Sequence, residues 1–105
     1  MTTPLTLSTE RRADGRPVLI AVGEIDMSNV DAFASALREA VGTGDTLTVD
    51  LSAVEYLDSK AINALYVHAD HLHLVANSRM MPVLRISGLT ELVSVEPAEP
   101  PPAAT

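Results

Sequence analysis

The sequence predicts an α/β domain: a small mixed sheet of four to five strands, its first hairpin antiparallel and the remainder parallel, with helices mainly on one face. Three observations lead there. Segments in which apolar residues alternate with polar ones are interleaved along the chain with segments whose apolar residues recur at helical spacing. Strands joined through helices run parallel with right-handed crossovers, whereas Asp14-Gly15 between the first two strand-like segments signals a tight antiparallel hairpin. The strands also alternate instead of reading as continuous apolar runs, so one face of the sheet should be wetter than the other.

Leu5 and Leu7 alternate with Thr6 and Ser8 in a first strand, and residues 18–22 make a second beyond the hairpin. Gly23-Glu24-Ile25-Asp26 then reads as a loop. Ser28 with Asp31 three residues on resembles a capping arrangement that starts a helix. That helix carries Val30, Phe33, Ala34, Leu37, Ala40 and Val41 on one stripe and should stop at Gly42-Thr43-Gly44-Asp45, where glycine supplies the needed conformations. In the next strand Leu47, Val49 and Leu51 oppose Thr46, Thr48 and Asp50. After a connection, Ala61, Ile62, Leu65, Tyr66 and Ala69 form a second helical stripe, with Asp58 or Ser59 at its N-cap. Residues 71–75 alternate again, with Leu72 and Leu74 as the apolar face. Asn77 or Ser78 can cap a third helix through Met80, Met81, Val83 and Leu84 towards Leu89; Pro82 fits only its first turn, and Gly88 should end it. Val93 and Val95 suggest a last short strand. Residues 1–96 thus read as one domain, and residues 97–105 as a disordered Pro/Ala-rich tail.

Composition bounds the function. The chain has 105 residues, enough for one core, with 47% hydrophobic and only 3% aromatic residues, so that core must be aliphatic. A net charge of −7 with seven Lys and Arg in total speaks against a nucleic-acid or anionic-membrane surface. No cysteine is present, which excludes disulfides, thiolate metal sites and cysteine catalysis. The apolar run at residues 18–22 is far too short to span a bilayer, and a cytoplasmic location is expected.

Open α/β sheets gather their sites at the carboxyl ends of the strands. Two of the loops there carry acids, Gly23-Glu24-Ile25-Asp26 and Leu57-Asp58-Ser59, and should approach one another. Ser59 then lies at a helix N-terminus, where the helix dipole tolerates an added phosphate; the plainer reading is that Ser59 only caps the helix. His68, His71 and His73 with Asp70 could hold a metal but are more simply a polar sheet face and helix end, so no metal or cofactor is expected. A hydrolase reading fails on the missing Gly-x-Ser-x-Gly elbow, and no phosphate-cradling Gly-x-x-x-x-Gly-Lys is present.

Gly23-Glu24-Ile25-Asp26 after the second strand, Val49-Asp50-Leu51, Tyr56-Leu57-Asp58-Ser59 leading into a helix, and the run from Val83 to Leu89 together resemble the STAS family, the fold of bacterial anti-sigma factor antagonists. The resemblance covers about residues 5–95. It implies a non-enzymatic module in which Ser59 is the phosphoacceptor. It also implies a docking surface of Gly23, Glu24, Asp26 and Ser28 from one loop with Asp58, Ser59, Lys60, Ala61 and Asn63 from the other. The implied partner is an anti-sigma factor, often itself a serine kinase, that releases the antagonist once Ser59 is phosphorylated; the chain would be a monomer or weak dimer. Where the family has Asp-Ser, then Ser or Thr, then Gly, this chain has Lys60 and Ala61, and the alanine methyl would crowd a docking partner. Those two residues keep a second reading open, a STAS-like module sensing a small molecule or nucleotide in the same cleft.

Overall fold

The structure, a computed structural model, describes residues 4–42 and 46–98. Its strands are β1 (Thr6–Arg11), β2 (Pro17–Ile25), β3 (Leu47–Leu57), β4 (Leu72–Ala76) and β5 (Ser94–Pro97). Its helices are α1 (Val30–Val41), α2 (Ser59–Val67), α3 (Met81–Ile86) and α4 (Leu89–Leu92), with a 3₁₀ turn at Ala69–His71. The sheet order is β1-β2-β3-β4-β5. Only the β1-β2 pair is antiparallel, closed by the Asp14-Gly15 turn in which Gly15 takes φ 86°. The mixed sheet is therefore the one expected.

The core lies between one sheet face and the helices. Leu19, Ala21 and Ile25 of β2, Leu47, Val49 and Leu51 of β3, and Leu72 and Leu74 of β4 meet Phe33 and Leu37 of α1, Leu65 of α2, Leu84 of α3 and Leu89 of α4. Helix α1 buries Val30, Phe33, Leu37 and Val41, the inner part of the apolar stripe, while Ala34 and Ala40 are half-buried at its margin. In α2, Ala61 and Leu65 are buried and Ile62 and Tyr66 pack against the core from its edge. The opposite sheet face keeps Asp50 and His73 half-exposed. His73 pairs there with Glu96 at 3.1 Å.

Several boundaries differ from the sequence reading, each for a local reason. The second and third strands run longer than expected, and Gly23, Glu24 and Ile25 belong to β2, not to a loop. In β3 the buried residues after Leu51 are Val54 and Leu57, a spacing of three that breaks alternation. Two register shifts against β2, after Ile20 and after Gly23, absorb the extra residues, with Gly23 at φ 106° beside the second. Bulges thus reset the phase of an apolar pattern that otherwise looks like the end of a strand.

The Ser28–Asp31 box does not form. Asn29 precedes α1 without a side-chain cap bond, and Ser28 bonds backwards to Asp26. Gly42 at the end of α1 is right-handed, φ −49°, so it is not a left-handed stop; residues 43–45 lie outside the described residues. His71 sits in the 3₁₀ turn, and β4 begins one residue later. The expected third helix is two: Gly88, at φ 85°, ends one turn and starts the next, which puts Leu89 in α4. Pro82 occupies the first turn of α3 as required. Glu96, the last residue of the expected domain, and Pro97, the first of the expected tail, pair with Val75 and Ala76 in β5, and the amide of Ala98 still donates to Ala76 at 2.7 Å. Proline is acceptable there because β5 is an edge strand. Residues 99–105 lie outside the described residues.

Candidate functional site

Both acidic segments reach the carboxyl-end edge of the sheet together. Ile25 and Leu57 are register partners, and beyond them the amide of Asp58 donates to the Ile25 carbonyl at 2.8 Å. That bond fixes the start of α2 beside Asp26.

The Asp26 turn is built by side chains. The Asp26 carboxylate accepts from the Ser28 amide at 2.9 Å and from the Ser28 hydroxyl at 2.5 Å. Asn29 closes the turn from the other side, its Oδ1 accepting from the Asp26 amide and its Nδ2 donating to the Glu24 carbonyl, both at 2.9 Å. Hydrogen bonds to a carboxylate favour its ionised form. The Ser28 hydroxyl first and the Ser28 amide second hold the Asp26 carboxyl below the usual carboxylate range, against a smaller opposing effect of burial. Asn29 escaped the sequence reading. The signal was there, because an Asp-x-Ser-Asn run directly before an apolar helical stripe is rich in side chains that bond their own backbone.

The second half of the site is the first turn of α2. Asp58 is extended, φ −70° and ψ 156°, and its carboxylate accepts from the Lys60 amide at 2.9 Å. Asp58 is therefore the N-cap. Ser59 stands at the first helical position, exposed, and its hydroxyl has no hydrogen-bond partner among the described residues. Lys60 and Asn63 are exposed on the same helix. Ser28 and Met27 are exposed on the facing turn, and Tyr56, opposite Glu24 in the register, is half-exposed.

Not every residue expected at this surface reaches it. Ala61 is fully buried, 0% exposed, and its methyl group belongs to the core under α2. It cannot crowd a partner in the way the sequence reading supposed. Gly23 is buried within β2 and pairs with Val54, whereas Glu24, next in the strand, is half-buried as Asp26 and Asp58 are. What the structure presents at this edge is Ser28, Ser59, Lys60 and Asn63, exposed, with Glu24, Asp26 and Asp58 half-buried beside them. The histidines do not converge on a metal site: no group of three possible ligands is found among the described residues. No described helix is long and apolar enough to cross a membrane.

A five-stranded sheet with one antiparallel edge and helices on one face, the carboxyl ends of β2 and β3 bringing two acids beside a helix-starting serine, defines a class of small α/β domain. The chain belongs to the STAS_2 family, described as Mlab, STAS domain, whose model matches residues 8–94. An anti-sigma factor antagonist from Mycobacterium paratuberculosis is similar in structure at a TM-score of 0.83 and 27% identity, over 93% of this chain and 92% of that one. The anti-sigma factor antagonist SpoIIAA in its unphosphorylated form matches at a TM-score of 0.71 and 16% identity, over 90% and 89% of the two chains. A Shewanella loihica protein with a SpoIIAA-like fold matches at 0.64 and 12%, over 95% and 90%. The last two likenesses concern the fold. No protein of curated function matches the chain by sequence.

Proposed function

We propose that the protein is an anti-sigma factor antagonist: it binds an anti-sigma factor through the edge formed by Asp26, Ser28, Asp58, Ser59, Lys60 and Asn63, and so frees a sigma factor. The partner is a serine kinase that switches the contact off at Ser59, and the cycle runs in the cytoplasm without a cofactor. One observation carries this reading. Ser59 occupies the start of α2 while Asp58 caps it, and its hydroxyl is exposed with no hydrogen-bond partner among the described residues. The kinase transfers the γ-phosphoryl group of a nucleoside triphosphate to Ser59 Oγ, the hydroxyl proton leaves, and the diphosphate is released. The product carries about 1.5 to 2 negative charges at a helix N-terminus, where the dipole accommodates them. The same charge falls beside Asp26 and Asp58, so a partner that desolvates this edge meets like charges, which cost several kcal/mol at an interface.

The test begins with the partner. A pull-down from the native host followed by mass spectrometry should recover an anti-sigma factor, and incubation with it and a nucleoside triphosphate should phosphorylate Ser59. Ser59→Ala should bind it like the wild type and resist phosphorylation. Ser59→Asp should stay folded and lose binding. Wild-type affinity in both variants would remove Ser59 from the switch.

A further inference from the structure

Beside the Ser59 edge, α1 and α2 leave a groove of about 340 Å³ between them. It shares Lys60 and Asn63 with that edge and lies outside the acidic turn of Asp26. One wall is the outward stripe of α1 with Asp31, Ala34 and Arg38, and the other is the stripe of α2 with Lys60, Ala64 and Val67. On each helix these residues recur at three- and four-residue spacing, so two parallel stripes run about two turns, or ~12 Å, along the surface. The floor is made of small residues, the half-buried Ala34 and Ala64, while Val67 stands 71% exposed at the far end. Val67 takes no part in the core, which α2 fills with Ala61 and Leu65 while Ala64 packs against it from the groove side.

Charge narrows what can lie there. The chain carries −7 overall, yet this groove is walled by two of its seven Lys and Arg residues against the single acid Asp31. Lys60 is the only lysine in the chain. An acidic segment is repelled by the molecule at large and accepted here, the arrangement that steers and orients a partner. Alanines on facing helices allow a third helix to approach closely, and an exposed valine offers it an apolar contact.

We propose that the α1-α2 groove docks an acidic amphipathic helix of a partner protein, its apolar side on Ala34, Ala64 and Val67 and its carboxylates against Arg38 and Lys60. The proposal rests on the adjoining edge being a protein-docking face, and its test does not pass through Ser59. An isotope-labelled full-length chain is titrated with a blocked peptide of about 16 residues, long enough to span the groove, carrying Leu at i, i+4 and i+7 and flanking Glu. A copy with Lys in place of every Glu is the control. The acidic peptide should shift the amide signals of Ala34, Arg38, Ala64 and Val67, and the basic copy should not.

Arg38→Glu combined with Lys60→Glu should weaken binding at least ~10-fold, and ~0.5 M salt should weaken the wild-type interaction similarly because these charges are exposed. Val67→Ser should weaken it without lowering the melting temperature. No shifts with about 2 mM acidic peptide, or equal shifts with both peptides, would overturn the proposal. So would groove shifts that appear on raising protein concentration alone, which would mark a self-contact, or with inorganic phosphate alone, which would mark a small-anion site. If the groove fails while Ser59→Asp still blocks the recovered anti-sigma factor, the functional reading stands and only the groove is lost. If the groove binds but no anti-sigma factor is recovered, the reverse holds.

Discussion

Ser59 and Asp58 are neighbours with opposite duties, and two substitutions separate them. Asp58→Ala removes the oxygen that accepts the Lys60 amide and should cost ~0.5 to 2 kcal/mol. Ser59→Ala removes a hydroxyl with no partner among the described residues and should change stability by less than ~0.5 kcal/mol. Urea unfolding of both variants checks the pair, and the opposite order would return the cap to Ser59. Asp26 gives a test by pH. Its folded pKa lies below the unfolded value, near ~3.9. The stability it contributes is therefore complete above that value and is lost as pH falls through the lower, folded one. Asp26→Asn should be less stable than wild type at pH 7, with the difference shrinking below pH ~4; a gap that stays constant through that range would detach the stability effect from ionisation. At this scale the sequence placed Asp58 and Ser59 at the start of a helix but left open which of them caps it. A pair of adjacent cap-forming residues, Asp58-Ser59, permits either to cap, and only the backbone angles at Asp58 decide.

Among the elements, α2 and β3 form the frame on which the site rests. Leu65 is 0% exposed and shares a single core with Val49 and Leu51, so Leu65→Ala should cost ~2 to 5 kcal/mol in chemical denaturation. A cost below ~0.5 kcal/mol would put the helix in the wrong register. The same helix is tied at its far end, where the Tyr66 hydroxyl donates to the Ser87 carbonyl just before Gly88. A Cβ at Gly88 would lie 2.9 Å from that hydroxyl, on a backbone with φ 85°. Gly88→Ala should therefore lower the melting temperature, with strain and a displaced tyrosine acting together. What was legible in the sequence at this scale was the leucine alternation of β4, the stripe of α1 and the Asp14-Gly15 hairpin, while the run read as one third helix is broken in two at Gly88. What was not legible was the upper half of β3. Its apolar residues Leu51, Val54 and Leu57 obey neither period, because bulges against β2 reset the phase. Asn77 completes that irregular stretch: its amide donates to the carbonyls of Ser52 and Val54, at 3.1 and 2.8 Å, where β4 has already ended. A side chain that bonds 23 and 25 residues away leaves no local sign in the sequence.

For the whole molecule, the open question is where the folded unit ends, and β5 decides it. Composition shifts after Val95, which placed a boundary at residues 96 and 97. Glu96 and Pro97 nevertheless complete β5, the Ala98 amide closes on Ala76, and Glu96 meets His73 across the strand pair. An edge strand of four residues has few contacts to spare, and β4 would become the unpaired edge without it. Two truncations should then differ. Ending the chain at Ala98 removes only a segment with no hydrophobic periodicity and should leave the melting temperature unchanged. Ending it at Val95 removes the Val75–Glu96 and Ala76–Pro97 pairing and should lower the melting temperature by several degrees, since ~1 kcal/mol corresponds to roughly 4 to 8 °C in a domain of this size. Equal melting temperatures would restore the shorter boundary, and a loss already present on ending at Ala98 would extend the folded unit into residues 99–105.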